Sequence, residues 1–156
     1  MKLATLLYIK NQKGEYLLQK RLKNPNKDLY SPPGGKLDLP SAESPDACAV
    51  REAFEECRLV TKNEDWKLIG ILTEKNFPGT GSIMIFLMKY AKLHNELPLP
   101  CAEGTHYFIH PDNFHNYELP HTDRKFIWDK VLSYDNEVFF LNLDCTYYPD
   151  VKEIKK

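Results

Sequence analysis

The sequence lacks the features that mark several large classes of protein. None of its apolar runs approaches the roughly 18 residues that a membrane-spanning helix requires. Neither sign of charge is in excess, with 21 lysines and arginines against 22 aspartates and glutamates and a formal net charge of −1. Proteins that bind DNA or RNA through the phosphates normally carry a basic excess. We therefore expect neither a membrane nor a nucleic-acid polymer among the partners.

Cysteine pairs with the spacing of a metal site are also missing. Cys48, Cys57, Cys101 and Cys145 show no C-x-x-C spacing, and the histidines show no pattern typical of zinc ligands. The N-terminus has no segment typical of a signal peptide, since its short apolar run soon meets charged residues. These features predict free, mostly buried thiols and a cytoplasmic location.

The length of 156 residues and the 42% apolar content predict a single globular domain over residues 1–156. Alternating or continuous apolar runs predict strands, and turn signals such as Asn11-Gln12-Lys13-Gly14 separate them. Helical periodicity predicts two helices, the second with Thr122 as its N-cap. The predicted strands are 3–9, 16–22, 66–73, 82–90, 105–109 and 138–143, and the predicted helices are 45–58 and 123–133. This order predicts an α+β or α/β/α fold with a mixed sheet.

The first predicted helix has clear start signals and two contrasting faces. Ser44 is expected as the N-cap and Pro45 at the first helical position, where its missing N–H costs nothing. The periodicity predicts an apolar stripe on one side and three carboxylates within an arc of roughly 100° on the other. The stripe contains Ala47, Val50, Phe54 and Cys57 with Ala53 at its edge, and the carboxylates are Glu52, Glu55 and Glu56.

The acidic face has two interpretations. Acidic helix faces are commonly just solvated. However, Glu52 and Glu56 form an i,i+4 like-charge pair, which costs an isolated helix roughly 0.2–0.5 kcal/mol. A hard divalent cation would offset that cost. The glycine turn at Gly34-Gly35 and the acidic Glu43 upstream favour the cation site.

These residues together resemble the Nudix box, whose pattern is G-x5-E-x7-R-E-U-x-E-E-x-G-U with U a bulky aliphatic residue. Glu43 precedes Arg51 by the required seven intervening residues, and both glutamate pairs of the pattern are in place. The chain departs from the pattern in three ways. Seven residues instead of five separate Gly35 from Glu43, Ala53 is small, and Arg58 replaces the last glycine. We expect Arg58 to reshape the helix end, because a left-handed arginine would cost roughly 1 kcal/mol.

The resemblance implies a Nudix-type α/β/α sandwich and a hydrolase that depends on Mg²⁺, with Mn²⁺ as an alternative ion. It implies that Gly35, Glu52, Glu55 and Glu56 hold the metal, Gly35 through its backbone carbonyl. Glu55 or Glu52 would also act on the attacking water. Glu43 and Arg51 would be a structural pair that braces the loop against the helix, against the alternative of an ordinary surface ion pair.

Residues outside the box are further candidates. Many relatives carry an acidic metal ligand or general base at the place of Glu103, which could equally be an ordinary loop acid. Arg21 and Lys36 could bind phosphate, and Tyr30 could stack on a base, although solvation and core packing are the ordinary roles. Asp123 lies where related nucleotide-pool enzymes keep base-recognition residues, but it would also suit a helix N-terminus.

The predicted activity is hydrolysis of a nucleoside diphosphate linked to another group, with sanitising of 8-oxo-dGTP as one example. Dinucleoside polyphosphates, ADP-ribose and nucleotide sugars remain open as substrates. A catalytically silent domain that binds or senses a nucleotide is the alternative function, and a homodimer is one assembly that the sequence leaves open.

Overall fold

The computed structural model describes residues 1–155, which fold around one mixed β-sheet. A π-helical segment covers Asp123–Ile127, and 3₁₀ helices cover Asn63–Asp65 and Pro111–Asn116. The strands are β1 (Lys2–Lys10), β2 (Tyr16–Arg21), β3 (Tyr30–Ser31), β4 (Gly34–Lys36), β5 (Trp66–Phe77), β6 (Gly81–Leu93), β7 (Gly104–Ile109), β8 (Phe139–Tyr147) and β9 (Asp150–Glu153). The helices are α1 (Pro45–Cys57) and α2 (Trp128–Leu132).

The main path through the sheet follows the order β3-β2-β1-β6-β5-β8-β9. β1 pairs with β6 and β5 with β8 in parallel, while β5 and β6 form an antiparallel hairpin. Off this path, β4 pairs with β1 and β7 with β2, both antiparallel. The mixed sheet predicted from the sequence is therefore confirmed.

Helices cover both faces of the sheet. On one face, Ala49, Ala53 and Cys57 of α1 pack into a cluster with apolar residues from β1, β2, β5 and β6. On the other face, Ile127, Trp128 and Val131 belong to a larger apolar cluster. This arrangement confirms the α/β/α sandwich. No helix within residues 1–155 is long and apolar enough to cross a membrane.

The six predicted strands and α1 are found with small shifts in their ends. The helix predicted over 123–133 is instead a π-helical segment followed by the short α2, and the short strands β3, β4 and β9 were not predicted. β5 extends to Phe77, which pairs with Gly81 beside the connecting turn, and β6 extends to Leu93, which pairs with Lys10 of β1. Thr122 is not the N-cap that the sequence suggested. It already has helical φ and ψ angles and makes no side-chain cap hydrogen bond.

α1 begins as predicted but is oriented differently. Ser44 has extended φ and ψ angles and its side chain accepts a hydrogen bond from the Ala47 N–H at 3.4 Å. The predicted apolar stripe is wrong at Phe54, which is 47% exposed. The buried face instead includes Glu52 and Glu56 beside Ala49 and Ala53. The helix is rotated toward its acidic side, because that side faces a cavity lined by polar groups of the chain itself.

The expected change at the end of α1 does not occur. Arg58 adopts the left-handed conformation with φ 54° and ψ 24°, as a glycine would. Its N–H donates to the Phe54 carbonyl at 3.0 Å, and the Leu59 N–H donates to the Ala53 carbonyl at 3.2 Å. The Arg58 guanidinium also lies over the Phe54 ring, 5.4 Å from its centroid. Two capping bonds and a cation–π contact thus offset the backbone strain.

Candidate functional site

The loop between β4 and α1 is tied to the helix by a two-pronged ion pair. The Nε and Nη2 atoms of Arg51 donate to the two carboxylate oxygens of Glu43, each at 2.8 Å. Nη2 also donates to the Lys36 carbonyl at 3.0 Å, and the Asp38 N–H donates to Glu43 at 3.0 Å. The hydrogen bonds from Arg51 lower the pKa of Glu43 to about 2. The structure therefore brings the two residues together in the bracing geometry, across the longer loop.

Gly34 and Gly35, which the sequence predicted as a turn, belong instead to strand β4, which pairs with β1. They lie directly against two glutamates of α1. The Gly34 N–H donates to the Glu56 carboxylate at 3.0 Å. A Cβ atom on Gly35 would lie only 2.3 Å from Glu52 Oε1, and one on Gly34 only 2.1 Å from the Thr5 carbonyl oxygen. A side chain at Gly34 would therefore displace the backbone of β1, whereas one at Gly35 would displace the Glu52 carboxylate.

Both of these glutamates are buried carboxylates. Glu52 is 9% and Glu56 6% exposed. Burial raises the pKa of Glu52, and burial together with the nearby Glu52 raises the pKa of Glu56 to about 8. Among residues 1–155, Glu52 has a direct ion-pair partner and Glu56 has none, since Arg51 Nη1 donates to Glu52 Oε1 at 2.9 Å. The pKa of Glu56 is raised because the surrounding residues do not compensate a negative charge on its carboxylate.

The other predicted ligands have different surroundings. The Glu55 side chain is 54% exposed and accepts from Arg51 Nη1 at 3.3 Å. The Gly35 carbonyl oxygen accepts from the Thr5 hydroxyl at 3.4 Å and from the Cys48 thiol at 3.8 Å. Through its Nη1 atom, Arg51 contacts carboxylate oxygens of both Glu52 and Glu55.

A cavity of about 840 Å³ opens in front of these groups. Glu103 lies on its wall, where its charge contributes to raising the pKa of both Glu52 and Glu56. Arg21 also lines the cavity and donates from Nε to the Pro25 carbonyl at 2.7 Å. Lys36 lines the cavity as well. A pocket with carboxylates on one wall and basic groups nearby can bind a phosphate chain together with a cation.

Tyr30 is placed differently from the other candidates. It is not among the residues that line the cavity. Its ring packs edge-on against Tyr107 and Tyr117, with centroid distances of 5.6 and 5.1 Å. Lys20 lies over the same ring at 5.9 Å. In this arrangement Tyr30 joins a half-buried aromatic cluster beside β2 and β7.

Asp123 lines the cavity and is accompanied by an acidic residue that the sequence analysis did not single out. Asp123 is 5% exposed, and its Oδ2 atom has no hydrogen-bond partner in the described part of the chain, residues 1–155. Glu74, at 6% exposure, lines the same cavity from β5. The sequence Leu72-Thr73-Glu74 could have indicated that Glu74 is buried, because the period of two in a strand places Glu74 on the same, buried side as Leu72.

The donor set suits a hard divalent cation in its chemistry. Glu52, Glu55 and Glu56 supply carboxylate oxygens, the ligands that Mg²⁺ prefers, and two of them are buried with little compensating charge. Within residues 1–155, no three Asp, Glu, His or Cys side chains stand grouped closely enough to hold a metal as they are. The contacts of Arg51 with Glu52 and Glu55 account for part of this separation, so the ligands would have to rearrange on binding.

Comparison with known proteins gives one family and several similar folds. Residues 1–129 match the family model described as the NUDIX domain. A MutT protein from Bacillus halodurans has a TM-score of 0.76 at 21% identity, covering 99% of this chain and 95% of that chain. The NUDIX domain of Shewanella oneidensis NrtR, solved with ADP ribose, has a TM-score of 0.66 at 14% identity, with 84% of each chain covered. The dihydroneopterin triphosphate pyrophosphohydrolase of E. coli has a TM-score of 0.64 at 17% identity, covering 83% of this chain and 94% of that one. At these identities the likeness to solved structures shows the fold alone.

Proposed function

Because this chain belongs to the NUDIX family of hydrolases, we propose that it is a Mg²⁺-dependent pyrophosphohydrolase. Its substrate would be a nucleoside diphosphate linked to another group, and one product a nucleoside monophosphate or a similar phosphate ester. The observation that carries this proposal is the contact of Glu52 and Glu56 with Gly34 and Gly35 of β4 inside the cavity. Similar folds include MutT proteins and a triphosphate pyrophosphohydrolase, which supports a substrate with a phosphate chain.

Each part of the site has a task in this reaction. Glu52, Glu55 and Glu56 with the Gly35 carbonyl would hold the cation, which when bound neutralises phosphate charge and lowers the pKa of water. The Gly34 N–H fixes one carboxylate oxygen of Glu56 at 3.0 Å, and so limits the orientations of that ligand. Arg21 and Lys36 contribute positive charge beside the phosphates. Glu103, Glu52 and Glu55 are the candidates for accepting a proton from the attacking water.

A hydrolysis assay tests the proposal. Purified protein is incubated with Mg²⁺ or Mn²⁺ and a panel that contains nucleoside triphosphates, 8-oxo-dGTP, dinucleoside polyphosphates, ADP-ribose and nucleotide sugars. We expect Mg²⁺-dependent cleavage by the wild type and a loss of at least roughly 100-fold in Glu56→Gln, because losing even a partner of a ligand costs about 10–100-fold. Glu55→Gln tests the more exposed ligand in the same way. The matched control is Glu96→Gln, an exposed glutamate outside the cavity. Unchanged activity in both site variants would reject this site.

One observation favours a second candidate, a nucleotide-binding domain without catalysis. Arg51 holds Glu52 and Glu55 in ion pairs, and a similar fold was solved as a domain that carries ADP ribose. In that case the wild type would bind a nucleotide by calorimetry yet cleave nothing in the panel with either metal. Cleavage of any panel compound that depends on Glu56 would exclude it.

A further inference from the structure

A glutamine and a histidine are fully buried next to the cavity wall, and the reaction described above gives them no task. Gln19 of β2 is 0% exposed, and His106 of β7 is 2% exposed. The two residues lie directly opposite each other in the antiparallel pair of β2 and β7, and their Nε2 atoms are 3.2 Å apart. Burial of polar groups costs free energy unless they are hydrogen-bonded, so their partners indicate what the pair does.

The hydrogen bonds of the pair determine the tautomer of His106. Its Nδ1 atom lies 3.1 Å from the Leu99 carbonyl oxygen, which can only accept, so Nδ1 carries a proton. Burial lowers the pKa of His106, while the hydrogen bond with Leu99 acts in the opposite direction, and the ring is neutral at pH 7. In the neutral ring Nε2 is therefore an acceptor, and the Gln19 amide donates to it.

The Gln19 amide donates to a second group, in the segment that precedes β7. Its Nε2 atom lies 3.6 Å from the Cys101 sulfur, which lines the cavity. The amide oxygen of Gln19 has no hydrogen-bond partner among residues 1–155. The reverse orientation of the amide would place this oxygen against the bare Nε2 of His106, with two acceptors facing each other. The orientation of the amide is therefore fixed by the two groups that it holds.

Cys101 and Gly104 close a tight turn that contains Glu103. The Cys101 N–H donates to the Gly104 carbonyl at 3.0 Å, and the Gly104 N–H donates to the Cys101 carbonyl at 3.3 Å. The Leu22 N–H donates to the Glu103 carbonyl at 2.9 Å. The Glu103 carboxylate contacts Lys23 at 3.7 Å, but both side chains are exposed, and such pairs contribute little. The position of the carboxylate thus depends on the backbone of the turn.

The turn is also packed closely against β2. A Cβ atom on Gly104 would lie 2.2 Å from the Lys20 carbonyl oxygen and 2.8 Å from Gln19 Cγ. The Gln19 side chain therefore contacts the turn through its stem as well as through its amide. Together with the contact between His106 and Leu99, the segment 99–104 is held at three places by two side chains.

We propose that Gln19 and His106 are positioning residues, which as a pair fix the turn 101–104 and so hold the Glu103 carboxylate in place on the cavity wall. The inference rests on the proposed function, because Glu103 is one of the groups that could accept a proton from the attacking water. Such a group must lie within hydrogen-bond reach of that water, at about 2.6–3.2 Å, so a small displacement of the turn is costly.

Two measurements on the metal-free protein test the pair without a substrate. Nitrogen-15 NMR distinguishes a protonated ring nitrogen from a bare one, and we expect the Nδ1–H tautomer of His106 at pH 7. Amide hydrogen exchange of the Gly104 N–H reports opening of the turn. In Gln19→Met and His106→Phe this exchange should be about 10-fold faster, the effect of losing one hydrogen bond. Amides of β5 and β6 are the reference, since a general loss of stability would accelerate them equally.

Kinetics then show whether the pair acts through Glu103. We expect Gln19→Met and His106→Phe to lower kcat by roughly 10- to 100-fold with little change in KM, since a misplacement of about 1 Å costs about 100-fold. In a Glu103→Gln background the same substitutions should lower kcat no further, because the group that they position is already lost.

Two further variants complete the kinetic experiment. His106→Asn keeps an N–H group near the position of Nδ1 and should recover part of the activity. The matched control is His115→Phe, at an exposed histidine outside the cavity, which should leave exchange and activity unchanged. Circular dichroism verifies folding, and Gln19→Asn replaces Gln19→Met if the latter fails to fold.

Four results would each overturn the proposal. They are an Nε2–H tautomer of His106, exchange at Gly104 that rises no more than at the reference amides, full activity of Glu103→Gln, and losses in kcat that multiply with the loss in Glu103→Gln. A wild type that cleaves nothing would reject the proposed function instead. The tautomer and the exchange rates would still decide whether the pair holds the turn.

Discussion

The ion pair between Glu43 and Arg51 provides a quantitative test of how the loop is held against α1. The pKa of Glu43 falls from 4.5 to about 2. Each pKa unit corresponds to about 1.4 kcal/mol, so the upper value for the coupling is about 3 kcal/mol. The Arg51 side chain is 34% exposed, and solvent screening reduces the interaction. We therefore expect a coupling free energy of about 1.5–2 kcal/mol.

The assay is a double-mutant cycle with Glu43→Gln, Arg51→Met and the double variant, measured by urea unfolding at pH 7. Because the folded-state pKa of Glu43 is depressed, its stabilisation is complete above about pH 4.5 and is lost as the pH falls toward 2. The same cycle at pH 3 should therefore give a smaller coupling.

The control cycle pairs Arg51 with Glu55, whose side chain is 54% exposed and 3.3 Å away. That pair should contribute no more than about 0.5 kcal/mol. Two results would refute the reasoning: a coupling free energy between Glu43 and Arg51 as small as the control value, or one that stays constant down to pH 3. Either result would mean that the two residues form an ordinary surface ion pair.

Three further predictions follow from the same region of the molecule. Gly35→Ala should lower activity by roughly 100-fold while the circular dichroism spectrum stays native. The Cβ atom of the new alanine would lie 2.3 Å from Glu52 Oε1 and shift that carboxylate. Full activity of this variant would show that the position of Glu52 does not matter for the reaction. Arg58→Gly should raise the free energy of unfolding by about 0.5–1 kcal/mol. Glycine adopts the φ of 54° without strain, and the substitution removes only the exposed contact of Arg58 with Phe54. Urea unfolding with no gain in stability would contradict this prediction. Mg²⁺ at 100 times its dissociation constant should stabilise the wild type by about 2.7 kcal/mol in thermal unfolding. An equal stabilisation of Glu56→Gln would show that the ion binds away from Glu56.

Local patterns were sufficient to predict most of the elements. The cap at Ser44, the proline after it and the apolar runs depend on neighbours within a few residues, so they are readable without tertiary contacts. The matched spacing of Glu43, Arg51 and the helix glutamates likewise reflects one continuous segment. The sequence did not predict the rotation of α1. Phe54 was expected to be buried and Glu52 exposed, but the structure shows the reverse, because the fold provides a cavity for the acid.

The helix end shows the limit of a rule based on residue type. Arginine is a poor left-handed residue, yet Arg58 occupies that conformation because two backbone hydrogen bonds and the packing of the next segment hold it there. Glu74 shows a second limit. Its alternation with Leu72 marked a buried position, but the sequence could not show that Asp123 lies beside it, 49 positions away in the printed sequence.

The sequence by itself determined the order of the longer strands and the acidic helix α1, since each depends on short-range periodicity and spacing. It did not predict the short strands β3, β4 and β9, which depend on pairing with distant segments. Only the tertiary structure decided which carboxylates are buried, which of them Arg51 contacts and which lie in the cavity without an ion-pair partner among residues 1–155. The physical reason is that burial and charge coupling depend on elements brought together from distant parts of the chain, and no local pattern contains those distances.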